Sequence, residues 1–117
     1  MGGNLLVFEP DLLFSSRIES EASRSGLKVK VMVTEDELQR ALQKSVPKAL
    51  LVNLDALAGL DQSLAGPLRC RCKLIGYYSH ADSKIASQAL ASGFGMVIPR
   101  RKFMGKLNEI FADISSS

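Results

Sequence analysis

Short apolar runs and helix-like stretches take turns along the whole 117-residue chain, five of each, and nothing else in it restricts the fold so strongly. Leu5-Leu6-Val7-Phe8 predicts a buried strand, and Asp11 is placed to cap a helix running to about Arg24, where Gly26 stops it. From Leu27 to Val33, the apolar Leu27, Val29, Val31 and Val33 alternate with Lys28, Lys30 and Met32. That period of two predicts a partly exposed edge strand. Thr34 and Glu37 form a capping box for a helix through about Lys44, and Pro47 separates it from a third strand, Ala49 to Leu54. Between Asp55 and Arg69, Gly59, Gly66 and Pro67 allow only a short or broken helix with loop. Lys73 to Tyr78 predicts the fourth strand. Asp82 then caps a small-residue helix through about Ser92, Gly93 ends it, and Met96-Val97-Ile98 is a short fifth strand. The last helix carries Phe103, Leu107, Ile110, Phe111 and Ile114 as a core-facing stripe, and Ser115-Ser116-Ser117 is a frayed tail.

Regular alternation of strand and helix predicts an α/β fold with a parallel five-stranded sheet between helices, a (βα)5 three-layer sandwich. Crossovers of one hand restrict the topology, and the polar second strand belongs at an edge, which selects the flavodoxin-like order 2-1-3-4-5. No linker or low-complexity segment divides the chain, so residues 1–117 are expected to form a single domain. Apolar residues at 46% and charged residues at 23% are those of an ordinary soluble protein, and no apolar run approaches the ~18 residues of a membrane helix. No secretory signal is visible, and Leu6 breaks the myristoylation pattern that Met1-Gly2 opens, so a cytoplasmic location is expected.

In open α/β sheets ligands bind outside the carboxyl ends of the strands. Those ends present Glu9 and Asp11, then Asn53 and Asp55, then Tyr78, Ser79 and His80, then Pro99, Arg100 and Arg101. No metal or cofactor site is expected from them. Cys70 and Cys72 lie too close for an unstrained disulfide, and His80 is the one histidine that could join them on a metal. Ser79 and His80 point to opposite sides of an extended segment, which argues against a nucleophile-base pair. Gly93-Phe94-Gly95 is a poor phosphate loop, because the first strand ends in the acidic turn Glu9-Pro10-Asp11 and lacks the glycines of a dinucleotide fingerprint.

In length, element order and the position of these strand ends, the chain resembles the CheY-like receiver domains of two-component response regulators. The resemblance implies an acidic pair after the first strand, a phosphoacceptor aspartate after the third, a Ser or Thr after the fourth and a Lys-Pro after the fifth. Here those places hold Phe8-Glu9, Asn53, Tyr78 or Ser79, and Arg100-Arg101. An amide is a far poorer nucleophile than a carboxylate, so the pocket of Glu9, Asp11, Asn53, Asp55, Tyr78, Ser79 and Arg100 is expected to be degenerate, a pseudo-receiver without catalysis. A slip of two residues would make Asp55 the acceptor, but Asp55 reads better as the cap of the next helix.

The resemblance further implies a docking face built from the fourth helix, fifth strand and fifth helix. Ala86, Ala89 and Leu90 would sit there beside Arg100, Arg101, Lys102 and Lys106, suiting an acidic protein partner or self-association. A small-molecule or nucleotide sensor using the vacated strand-end pocket is the alternative. Net charge is only +3, and the cluster of Arg69, Arg71 and Lys73 precedes the fourth strand, at the other end of the sheet from Arg100. This separation argues against a nucleic-acid footprint.

Overall fold

The computed structural model describes residues 3–44, 46–57, 72–79 and 83–116. Five strands, β1 (Gly3–Phe8), β2 (Leu27–Met32), β3 (Ala49–Asn53), β4 (Lys73–Tyr78) and β5 (Met96–Pro99), form one sheet in the order β2-β1-β3-β4-β5. Every neighbouring pair is parallel. The helices are α1 (Leu12–Arg24), α2 (Glu35–Lys44), α3 (Ser83–Ser92), α4 (Arg100–Gly105) and α5 (Leu107–Ser116). The expected flavodoxin-like topology is therefore the observed one. Residues 58–71, with Gly59, Gly66, Pro67, Arg69, Cys70 and Arg71, and residues 80–82, with His80 and the Asp82 cap, lie outside the described residues.

Alternation along each strand sorts the core into two layers. Leu5, Val7, Ala49, Leu51, Ile75, Tyr77 and Ile98 face Phe14, Ile18 and Ala22 of α1 and the stripe Phe103, Leu107, Ile110, Phe111 and Ile114. Leu6, Phe8, Met32, Leu50, Val52 and Leu74 face Leu38 and Ala41 of α2 and Ala89 of α3. Both faces of the central strands are covered, which is why their sequences read as continuous apolar runs.

The termini follow local chemistry. The Asp11 carboxylate accepts from the Leu13 and Phe14 amides at 3.0 and 3.2 Å, and Thr34 Oγ1 accepts from the Glu37 amide at 3.1 Å. Gly26 at φ 84° and Gly93 at φ 110° end α1 and α3 in the left-handed region that favours glycine.

Two expectations about elements need correction. Val33 lies outside β2 and is 37% exposed, whereas Met32 is fully buried. Met32 is on the α2 side of the sheet, where Leu38 covers it, so the second strand supplies a core residue from its supposedly polar face. The final helix is two helices. The chain breaks at Lys106, whose amide bonds the Phe103 carbonyl at 3.0 Å, and α5 restarts at Leu107 with the apolar stripe still inward.

Candidate functional site

The strand alternation that builds the α1 and α5 side of the core also aims polar groups at its rim. Glu9 continues the series Leu5, Val7; Asn53 continues Ala49, Leu51; Tyr77 follows Ile75, and the register pairs Asn53 with Tyr77. The three side chains meet at the carboxyl pole of the sheet.

Glu9 is 1% exposed, yet its carboxylate is well supplied with donors. Tyr77 donates its hydroxyl to Oε1 at 2.5 Å, the Asn53 amide nitrogen donates to Oε1 and Oε2 at 3.0 and 3.1 Å, and the Asp11 amide donates to Oε2 at 3.0 Å. Hydrogen bonds to an ionised acceptor are about twice as strong as neutral ones, and a buried charge survives only with such partners. Tyr77 stacks on Phe103 with centroids 4.7 Å apart and planes at 5°, and tilts against Phe14 at 5.5 Å. Arg100 lays its guanidinium 3.7 Å above the Phe14 ring. Burial first, then the bond to Glu9 and its negative charge, push the Tyr77 hydroxyl far above the ordinary tyrosine range; the Arg100 charge opposes this more weakly.

Asn53 does a second task. Its Oδ1 accepts from the Asp55 amide at 3.0 Å and caps a single 3-10 turn, Leu54–Ala56. Asp55 is thus the capped residue and not the cap, a correction to the sequence reading, since the turn starts at Leu54, two residues earlier than a cap at Asp55 requires. Its carboxylate reaches the end of β4 instead, where Oδ2 accepts from both the amide and the hydroxyl of Ser79 at 2.7 Å. Among the described residues, Asp55 Oδ1 is buried without a hydrogen-bond partner. Beneath this turn Gly76 leaves room for Leu54, because a Cβ there would lie 2.8 Å from Leu54 Cδ1.

No protein-family model and no curated protein sequence matches the chain. Solved structures do. A putative response regulator from Chloroflexus aurantiacus superposes with a TM-score of 0.80 at 14% identity, covering 100% of both chains. The receiver domain of a sensor histidine kinase from Pseudomonas aeruginosa, which holds magnesium in its active site cleft, superposes at 0.77 with 18% identity and 100% coverage of both. NtrX from Brucella abortus matches at 0.74 and 14% identity, with 99% of this chain covering 28% of that one.

The chain has the receiver fold of response regulators.

Within the receiver fold, the residues at this pole do not suit magnesium. That ion takes near-octahedral oxygen ligands anchored by carboxylates. Both Glu9 oxygens already accept protein donors, and Asn53 turns N–H groups toward Glu9 where a metal would need a lone pair. Phe8 is 1% exposed and packs in the α2-side core, away from Glu9. Among the described residues no group of His, Cys, Asp and Glu side chains could hold a metal ion.

The structure bonds Asn53 to Glu9, sets Arg100 over the Phe14 ring and sorts the other expected pocket residues differently. Asp11 caps α1, and Asp55 pairs with Ser79. Tyr78 and Ser79, the candidates for the hydroxyl place, do not donate to Glu9; Tyr77 does. Sequence reasoning missed Tyr77 by matching positions to the receiver pattern, although the alternation through Ile75 pointed to it. On the expected docking face, Ala89 is fully buried and cannot contribute, while Leu90 is 57% exposed and Ala86 half-buried. Arg101, Lys102 and Lys106 are exposed. In the other basic cluster, Lys73 is bonded to Asp113 at 2.7 Å. Cys72 is half-buried, and burial pushes its thiol up to about 11, which keeps it protonated and inert at neutral pH.

Proposed function

We propose that this chain is a phosphorylation-independent pseudo-receiver that signals through protein contacts and has no enzymatic role, working in the cytoplasm. The observation that carries this reading is the closure of Glu9 by Asn53, Tyr77 and the Asp11 amide. In a magnesium-dependent receiver, cation and phosphoryl group supply the changing charge at this pole. Here fixed protein donors satisfy the carboxylate, and the position of the nucleophile holds an amide. A pole closed in this way suits a constant state, with output set by what docks on the surface.

The docking face runs over α3, β5 and α4, with exposed Leu90 and a rim of Arg101, Lys102 and Lys106. Its charge suits an acidic protein surface or a second copy of this chain presenting one. No described helix is long and apolar enough to cross a membrane.

Incubation with acetyl phosphate and magnesium, read by intact-mass spectrometry, tests the reading. The protein should remain unmodified. A hydroxylamine-sensitive gain of one phosphoryl group mapping to Asp55 would overturn it.

A further inference from the structure

A second polar constellation lies at the opposite pole of the sheet, on the α2 side. A cavity of about 250 Å³ opens there, lined by Asn4, Leu6, Lys28, Lys30, Ala41, Lys44 and Pro47 with the adjoining backbone of β1 and β2. The register sets Lys28 beside Asn4 and Lys30 beside Leu6, so alternate residues of both strands face the same space. Lys44 enters from the last turn of α2. Leu6 at 8% exposure, Ala41 at 7% and buried Pro47 supply the apolar part of the lining beside the three lysines. No described acidic side chain lines the cavity, and none of the three lysines is in a salt bridge among the described residues.

Lysines on an edge strand discourage pairing with other chains. That role accounts for Lys28 and Lys30 but does not require Lys44, on a separate helix, to converge on the same cavity. Like charges gathered without a counter-ion repel, and an anion among them removes the repulsion. All three cations are lysines, compact point charges that can reach the oxygens of a phosphate chain from several directions. The volume is below the roughly 300 Å³ at which pockets for larger organic ligands begin, so a compact ligand suits it. From this convergence of Lys28, Lys30 and Lys44 on one small cavity, we infer that it is a binding site for a phosphate chain, either free or carried by a nucleotide.

Titration calorimetry with inorganic tripolyphosphate and with ATP tests the site. Both should bind, and tighter binding of one identifies whether the free chain or the nucleotide is the better source. Lys28→Gln/Lys30→Gln and, separately, Lys44→Gln should each weaken tripolyphosphate about tenfold, the scale of a lost charged hydrogen bond. Arg101→Gln/Lys102→Gln removes the same net charge as the double lysine variant, at the other pole, and should leave the affinity within about twofold. Amide resonances of Leu6, Lys30 and Lys44 should shift in the wild-type protein, a readout independent of any variant's folding. Absence of binding, equal weakening by the two double variants, or resonance shifts confined to the Glu9 pole would overturn the inference.

Discussion

Replacing Asn53 with aspartate changes more than a nucleophile. The variant loses the amide donors to Glu9 and sets a second carboxylate against a fully buried one. Like charges this close raise one carboxyl pKa, and an unsatisfied buried group costs about 1–3 kcal/mol, more when charged. Asn53→Asp should therefore lower stability by about 2–4 kcal/mol in urea titrations. It should also stay unphosphorylated by acetyl phosphate with magnesium, because Phe8 faces away and Tyr77 still occupies Glu9. Stoichiometric phosphorylation would mean that one residue separates this chain from an active receiver. Tyr77 gives a pH test. Its hydroxyl ionises far less readily in the folded protein than in the unfolded chain, where it titrates near pH 10. A raised folded pKa supplies stability that is intact below the unfolded value and lost as pH climbs beyond it. The urea midpoint should accordingly fall above about pH 10. Cys72, pushed up to about 11, contributes in the same direction from a lower starting pH. Tyr77→Phe should cost about 1.5–3 kcal/mol near neutrality and remove the tyrosine part of the alkaline fall, leaving that of Cys72.

At the scale of elements, the 3-10 turn Leu54–Ala56 is held from above and below. Asn53 caps it, and Leu54 rests on Gly76 of β4. Gly76→Ala would bring a methyl to 2.9 Å from Leu54 Cγ and should cost about 1–3 kcal/mol through overpacking. Combined with Leu54→Ala, the loss should be smaller than the sum of the single losses, since the colliding atoms are gone. Additive losses in a double-mutant cycle would mean that the turn does not rest on Gly76. The strands and their order were legible in the sequence because β1, β3 and β4 are apolar on both faces and β2 alternates. The break at Lys106 was not, because the stripe from Phe103 to Ile114 keeps helical spacing across it. The exchange of roles between Asn53 and Asp55 was hidden for a similar reason. Either residue can cap, and only the bonds from Ser79 to Asp55 decide which one does. Ala89 shows the same limit, since a small-residue helix such as α3 carries little pattern to separate its buried face from its open one.

For the whole molecule, both poles of the sheet carry cations, but among the described residues only the carboxyl pole sets them beside a buried carboxylate. Basic groups at the start of α4 border the closed carboxylate site, so a partner docking there meets cations whose attraction salt screens within about 8 Å at physiological ionic strength. Arg101→Ala/Lys102→Ala should weaken a partner captured from cytosol, and added salt should weaken the wild-type complex in parallel. Binding that ignored both changes would move the interface elsewhere. Arg100 is a poor choice for this test, because removing it also uncovers the Phe14 ring and changes the fold's own contacts. The ring stack has an optical consequence as well. The chain contains no tryptophan and two tyrosines, so its absorbance near 280 nm and the fluorescence excited there come from Tyr77 and Tyr78. Tyr77 is held between Phe14 and Phe103 with its hydroxyl on a carboxylate, so a near-ultraviolet dichroic signal from this ring is the expected reporter of the pole. Any event that loosens the carboxyl pole, whether a docking partner, a substitution or rising pH, would then register in an unlabelled sample as a change in the colour and handedness of its own light.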